Sequence, residues 1–432
     1  MYRTASLPIF IEKLISPADP SFGVSTHSTR AVPPIVALGL IGSGKSKVSQ
    51  ALLHEVLRSL PSRPTERVVL WDYTRVNWGA TEDQKTRHWN TFSQLPIPDE
   101  ATLLLSGCDS RAVVWDIGKD LETSEQRTAF VDAFVEATPP PPGTKDQWLS
   151  FGKSLMWECL AAIDPARMDG IHSWKFFNAR ESGGPLWTWH TLRDTLHTMT
   201  KETHRGPVSH DILTRLYHTM DTLVRGQEGK NRITFSISDW FDTPRVDELP
   251  GSSWSQTRTL NNRSVLTIAE GPRQERTHLI LPTLFLALLA TKPTSCAPTK
   301  TWVFHDEAAA CPLPPSLFRL VPTGYKRGLQ WVMGFQCLSQ LSELYGAGVG
   351  DAFLREVYAA IVCRSITPDT VEVLGRQWGI PFRELAELGP RKDGVTSLGV
   401  ISGPGQPPVQ RYVWPYAEET LRRAVSWQDR AI

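Results

Sequence analysis

The stretch GLIGSGKS, residues 39–46, decides the fold. It fits the pattern G-x-x-x-x-G-K-[ST], whose glycines let a loop curl around the phosphates of a nucleotide. The apolar run PPIVALGL (33–40) is typical of a buried parallel strand. After the loop comes one apolar helical face, formed by Val48, Leu52, Leu53, Val56 and Leu57. A strand, a glycine loop and a helix in this order predict a phosphate-binding site in an α/β protein.

Each residue type in this loop has a physical task. Gly42 and Gly44 allow backbone N–H groups to point at an anion, and the N-terminus of the following helix adds a favourable partial charge. Lys45 is expected to reach the β and γ phosphates, and the hydroxyl of Ser46 to ligate Mg²⁺. The predicted ligands are therefore ATP and Mg²⁺. The predicted nucleotide contacts are Gly39, Gly42, Ser43, Gly44, Lys45, Ser46 and Lys47.

A second motif, TWVFHDEAAA (301–310), supplies the acidic half of the site. It combines a buried strand with two carboxylates at the carboxyl end, where ligands of parallel α/β sheets bind. Asp306 is expected to hold the magnesium shell, and Glu307 to orient the attacking water. Adjacent Asp and Glu favour ATP hydrolysis over a GTP switch. Because Asp306 follows Lys45 by 261 residues (306 − 45), a large insertion must separate the two strands.

The rest of the chain divides by texture into a sheet domain and a helical insertion. Residues 1–117 and 241–432 are predicted to form one discontinuous α/β nucleotide-binding domain around a mostly parallel sheet, and residues 118–240 an inserted all-α domain. Further strands are predicted in 66–78, 102–116, 263–270, 329–336 and 355–365, with a hairpin at the sheet edge over 394–413. A helix is predicted around 283–291, and a short one closed by Gly346 follows the strand that ends at Gln336.

Composition excludes several classes of protein. The 432 residues are 41% hydrophobic and 21% charged, as in globular proteins, and the net charge of +1 excludes a strongly basic nucleic-acid binder. Any contact with nucleic acid must therefore be local. The six cysteines include no C-x-x-C pair and predict reduced thiols in a cytosolic protein, without a zinc site. The longest apolar run, 279–290, is too short for a membrane span. The sixteen tryptophans are expected in the core, with stacking on unpaired bases as the alternative.

Taken in order, these segments resemble the coupling ATPases of bacterial conjugation and type IV secretion, within the HerA/FtsK group of DNA pumps. The likeness spans roughly residues 35–380. The segments that carry it are GLIGSGKS, TLLLSGCDSRAVVWD, FSISDW, VFHDEAAA, GYKRGLQWVMGFQCLSQLSELYG and VEVLGRQWG. The resemblance implies a RecA-like ATPase domain, a homohexameric ring with nucleotide between subunits, and passage of single-stranded DNA through its channel. It also implies a relaxase and secretion-channel proteins as partners.

The resemblance gives roles to further residues. Gln336 becomes the sensor of the γ-phosphate, with an ordinary polar strand end as the alternative. Two features depart from the family. Such proteins usually begin with transmembrane helices, and this sequence shows none, so either the anchor is missing or the chain belongs to a soluble branch. The expected location is cytoplasmic, at the inner face of the bacterial inner membrane. The family also carries Gly-Arg-Lys where this chain has Gly324, Tyr325, Lys326 and Arg327. Arg327 and Arg364 are both candidates for the arginine that reaches a neighbouring subunit's phosphates, and the sequence does not choose between them.

Three functions follow from these observations. The leading one is an ATP-driven translocase that couples a relaxase–DNA complex to a type IV secretion channel during conjugation. The second is a soluble pump of the same superfamily that acts in DNA processing or packaging. The third is a receptor that docks substrate proteins and uses ATP with little hydrolysis.

Overall fold

The structure is a computed structural model. It describes residues 5–6, 31, 33–40, 43, 45–59, 66–72, 102–106, 112–164, 187–202, 204–227, 234–242, 265–269, 280–291, 300–363, 367–379, 383, 390–391, 394–401 and 410–415.

One large sheet organises the protein. Its strands, together with those of a small separate sheet, are β1 (Ala5–Ser6), β2 (Ile35–Leu38), β3 (Arg67–Asp72), β4 (Thr102–Ser106), β5 (Val114–Trp115), β6 (Thr234–Phe235), β7 (Val265–Ala269), β8 (Thr301–His305), β9 (Leu329–Phe335), β10 (Ala359–Val362), β11 (Pro390–Arg391), β12 (Gly394–Ile401) and β13 (Gln410–Pro415). The order in the large sheet is β1-β13-β12-β10-β2-β9-β8-β3-β7-β4, with β11 beside β12. From β10 to β4 every pair is parallel, whereas β12 pairs antiparallel with β10, β11 and β13. The α/β fold class and the antiparallel hairpin near the sheet edge are confirmed.

The helices cover this sheet and form a separate layer. They are α1 (Lys45–Ser59), α2 (Ser124–Ala137), α3 (Lys145–Ile163), α4 (Trp189–Thr200), α5 (Pro207–Gln227), α6 (Ile237–Asp242), α7 (Ile280–Ala290), α8 (Pro315–Phe318), α9 (Ser339–Tyr345), α10 (Val349–Glu356) and α11 (Pro368–Trp378). Two 3₁₀ turns span Ile117–Asp120 and Gly324–Arg327. Among the described residues, no helix is both long enough and apolar enough to cross a bilayer.

The amino-acid pattern explains which helices are buried. Helix α1 packs against β2 and β9 through the apolar face predicted from Val48, Leu52, Leu53 and Val56. Helix α7, ILPTLFLALLA, is apolar on every side, and all eleven of its residues are buried. It packs against α2, so it lies inside the protein and not at its surface. Helix α2 begins with a capping box, in which the Thr123 and Gln126 side chains each accept from the other's backbone N–H.

Helices α2 to α5 pack on one another, in agreement with the helical texture of this stretch. The chain enters and leaves this block at one place, because β5 pairs in parallel with β6. The buried carboxylate of Asp120 joins the same two segments: it accepts hydrogen bonds from the Trp115 indole (2.8 Å) and from the backbone N–H of Ile237 (2.7 Å) and Ser238 (2.9 Å). These contacts support the division at residues 118 and 240, which stays a proposal.

The tryptophan prediction can be checked at several positions. Trp71, Trp115, Trp187, Trp302 and Trp331 are fully buried, as expected for core residues. The Trp189 indole donates to the backbone oxygen of Trp115 at 2.8 Å, and the two rings meet edge to face.

One element differs from its prediction. The sequence predicts a strand over 355–365, but of the described residues in this range only Ala359–Val362 form a strand (β10). The preceding residues, Val349–Glu356, form helix α10. Helix α10 is amphipathic, with Phe353 and Leu354 buried. Asp351 lies in its first turn and Arg355 in its last, where these charges interact favourably with the helix dipole.

Candidate functional site

The candidate site lies at the carboxyl ends of the parallel strands. Backbone hydrogen bonds align the strand ends there: Gly39 donates to the carbonyl of Phe335 (3.1 Å), Cys363 to that of Leu38 (2.7 Å) and Ala308 to that of Gly334 (3.0 Å). The phosphate loop after β2, the acidic turn after β8 and the end of β9 therefore meet at one edge. The sequence predicted this arrangement from the two motifs, although 261 residues separate them.

Lys45 joins the two halves of the site directly. Its ammonium group donates to Glu307 Oε1 at 2.9 Å and to the backbone oxygen of Asp306 at 3.0 Å. The Asp306 carboxylate is 3.9 Å away. Lys45 is 4% exposed and the Glu307 side chain 30% exposed, so the ion pair lies at the mouth of a buried site. A phosphate that approaches Lys45 must compete with Glu307 for its hydrogens.

The residues present fit a bound magnesium ion. Asp306 Oδ1 is buried and has no hydrogen-bond partner among the described residues, which is the state of an oxygen available to a hard cation. The half-buried Ser46 is the second residue of α1. No group of three or more His, Cys, Asp or Glu side chains within the described ranges could hold a metal alone. Asp306 and Ser46 match the binding of Mg²⁺, which usually takes one or two protein ligands with substrate phosphates and water.

Two glycines allow the close approach of backbone segments. A Cβ on Gly334 would lie 2.0 Å from the backbone oxygen of Asp306, so only glycine lets β9 pass the acidic turn. A Cβ on Gly39 would lie 2.3 Å from Ser43 Oγ and 2.8 Å from the Cβ of Cys363. Gly39 was among the predicted contacts. Gly334 was not, although a glycine inside the apolar strand LQWVMGFQ indicates such a contact.

A histidine precedes the acidic pair and has a different role from its neighbours. His305 is fully buried and stacks on Trp71, with ring centroids 4.1 Å apart and planes 8° from parallel. Burial, with a smaller effect of the Lys45 charge, lowers the pKa of His305 to about 3. The imidazole is therefore neutral at physiological pH. Sequence reasoning assigned no role to this residue.

The remaining predicted residues fall into three groups. Ser43, within the loop, is buried, and its backbone N–H donates to the carbonyl of Leu40 at 3.0 Å. Gln336 follows β9 at the site, and its backbone N–H donates to Gln340 Oε1 at 3.0 Å; the sensor role stays a prediction. Gly42, Gly44 and Arg364 lie outside the described residues, as does the side chain of Lys47 in α1.

Arg327 lies away from its own subunit's nucleotide site. It precedes β9, whose seven residues span roughly 20 Å, whereas Gln336 follows that strand. Its guanidinium donates to Glu125 Oε1 at 2.7 Å and to the carbonyl of Ala290 at 2.8 Å. Arg327 therefore joins α2 to the end of α7, near the amino-terminal ends of the parallel strands and not at their carboxyl ends. The finger role of Arg327 toward a neighbouring subunit stays a prediction.

Comparison with known proteins gives a consistent result. A model of the family described as the type IV secretion-system coupling protein DNA-binding domain matches residues 22–380. Two solved structures with a similar fold are the bacterial conjugative coupling protein TrwBdeltaN70 in an unbound form and the plasmid coupling protein TrwB with ADP and Mg²⁺. The first is 16% identical, with a TM-score of 0.57 over 95% of this chain and 93% of that one. The second is 16% identical, with a TM-score of 0.58 over 97% and 96%. No curated protein matches this chain.

Proposed function

Because this chain belongs to the family of type IV secretion-system coupling protein DNA-binding domains, we propose that it is an ATP-hydrolysing DNA translocase. In this role it delivers a relaxase bound to single-stranded DNA to a secretion channel during conjugation. It acts as a homohexameric ring in the cytoplasm, at the inner face of the inner membrane. Family membership supports the coupling role; hydrolysis, translocation, ring assembly, location and the relaxase are parts of the proposal.

One observation carries the enzymatic part: the Lys45 ammonium contacts Glu307 Oε1 at 2.9 Å, although the two residues are 262 positions apart. This contact brings the phosphate loop and the acidic turn together, as a phosphoryl-transfer site requires. The TrwB structures with ADP and Mg²⁺, with the ATP analogue ADPNP and with the GTP analogue GDPNP support a nucleotide and Mg²⁺ as ligands. The choice of ATP rests on the adjacent Asp306 and Glu307.

The residues of this site divide the reaction among them. Lys45 binds and orients the terminal phosphates and offsets their charge. Glu307, released from Lys45 by the phosphates, accepts a hydrogen bond from the attacking water and orients it. Gln336, at the end of the neighbouring strand, contacts the γ-phosphate. Ser46 and Asp306 would hold Mg²⁺, which supplies charge neutralisation at the phosphates.

Phosphate release by the purified protein, with and without single-stranded DNA, tests this proposal. We expect Mg²⁺-dependent hydrolysis that DNA stimulates and that Lys45→Ala abolishes. An ATP turnover rate that single-stranded DNA does not change would refute the proposed translocase. Nucleotide binding without turnover, with relaxase still bound, would support the receptor instead. Particle images lacking closed rings under conditions that support DNA-stimulated turnover would refute the hexameric arrangement.

A further inference from the structure

Two segments that lead away from the nucleotide site converge on the short helix α8. The acidic turn continues through residues 312–314 into α8. Helix α9 begins just after Gln336 and ends at Tyr345, whose hydroxyl donates to the backbone oxygen of Leu313 at 2.9 Å. The Tyr345 ring also stacks on Phe318 of α8, with centroids 4.0 Å apart and planes 8° from parallel. A shift of either segment therefore acts on α8.

The start of α8 is held from the helical block. Helix α8 has no side-chain cap of its own. Instead, Glu136 Oε2 of α2 accepts hydrogen bonds from the backbone N–H of Ser316 at 3.1 Å and from its hydroxyl at 2.6 Å. A carboxylate at a helix N-terminus is favourable because it satisfies orphan donors and opposes the helix dipole.

A second helix of the block fixes this carboxylate in place. Lys153 of α3 donates to Glu136 Oε1 at 3.1 Å and forms an ion pair with Asp132 of α2 at 2.8 Å. The Glu136 side chain is only 11% exposed, and both of its oxygens have partners. Its position is therefore set jointly by α2, α3 and α8, so α8 cannot move independently without breaking hydrogen bonds.

We propose that Glu136 is a positioning residue that carries changes at the nucleotide site to helices α2 to α5. The inference rests on the proposed function and adds to it that DNA acts on the helical block. Glu307 starts this path, because its backbone oxygen accepts from the N–H groups of Ala310 (2.9 Å) and Cys311 (3.2 Å). When a phosphate displaces Glu307 from Lys45, the turn that leads into α8 rearranges. The shift of Ser316 then displaces Glu136 through the two hydrogen bonds that join them.

The helical block offers a matched control. Glu125 lies at the other end of α2 and is also paired with a residue outside the block, Arg327. That contact is at the sheet edge remote from the nucleotide. Glu125→Gln and Glu136→Gln remove the same charge from the same helix, so a difference between the two variants reports the location of the contact.

The first test measures how strongly single-stranded DNA stimulates ATP turnover. We expect Glu136→Ala to keep basal turnover within about twofold of wild type while the stimulation falls by about fivefold or more, the usual lower range of allosteric coupling. Glu136→Gln, which keeps an acceptor oxygen, should retain an intermediate stimulation. In Glu125→Gln the ratio of stimulated to basal turnover should match that of wild type. Undiminished stimulation in a folded Glu136→Ala protein would overturn the inference. Absence of stimulation in the wild type would instead count against the proposed function.

A second test needs only nucleotide binding. Amide hydrogen exchange is compared between the Mg²⁺-ADP complex and a complex with a non-hydrolysable ATP analogue. In the wild type the exchange of residues 124–137 should differ between the two nucleotides. In the Glu136→Ala and Ser316→Ala variants, the difference in amide exchange between the two nucleotide complexes should be confined to residues 306–318. A wild-type α2 whose exchange ignores the nucleotide would refute the path even if DNA stimulation were lost.

Discussion

The ion pair between Lys45 and Glu307 makes a quantitative prediction for Glu307→Gln. The amide keeps the shape of the side chain but loses the charge that holds Lys45. In a buried setting a hydrogen bond between charged groups contributes roughly 1.5–3 kcal/mol. Because Glu307 is 30% exposed, solvent screening lowers this to about 1 kcal/mol. Phosphate no longer has to displace the carboxylate, so we expect ADP to bind about fivefold more tightly. Hydrolysis should fall by roughly 10²–10⁴-fold, because the water loses its orienting base.

Calorimetric titration with Mg²⁺-ADP measures the first effect without any turnover, and phosphate release measures the second. Glu343→Gln is the matched control, because Glu343 is an exposed acid of α9. The control should change neither quantity. An unchanged or weaker ADP affinity in Glu307→Gln would show that the ion pair does not compete with phosphate. Normal hydrolysis would remove Glu307 from its assigned role.

Three further predictions follow from individual contacts. Asp120→Ala removes a carboxylate that accepts four hydrogen bonds. Because the buried donors then lack an acceptor, the free energy of unfolding should fall by about 3 kcal/mol. A decrease below about 1 kcal/mol in urea denaturation would contradict this prediction. Gly334→Ala forces a methyl group against the acidic turn and should cost about 2 kcal/mol and most of the ATPase activity. Gly206→Ala, whose added Cβ meets nothing within 4 Å, should leave the ATPase activity unchanged and cost at most about 1 kcal/mol, because Gly206 precedes the first residue of α5. Arg327→Ala subunits mixed with wild type should lower ATPase activity more than dilution does; strictly proportional activity would leave Arg364 as the better candidate for the finger.

The sequence predicted the centre of the site well, because each functional side chain lies in the segment that follows a buried strand. Lys45 follows a glycine loop after β2, and the Asp306–Glu307 pair follows β8. Such strands are near-continuous apolar runs when both faces of a parallel sheet are covered. Their carboxyl ends lie at the same end of the sheet, and here only β9 separates β2 from β8. No knowledge of the long intervening segment was needed.

The contacts that surround the site could not be predicted in the same way. Gly334 matters because a neighbouring strand brings the carbonyl of Asp306 against it, and the strand order is not written in either segment alone. The contact between Glu136 and Ser316 joins residues 180 positions apart on two unrelated helices. Helix α10 was missed for a local reason: the apolar residues just after it suggested one longer strand.

The meeting of both ends of the helical block at Asp120 has a consequence for engineering and for evolution. Residues 121–236 begin and end at neighbouring positions, so the strand order of the large sheet does not depend on their length or sequence. A different helical block could be inserted at these two points, provided that it restored the contacts made by α2. Exchange of this one segment would change the helical block while the residues of the candidate nucleotide site stayed in place.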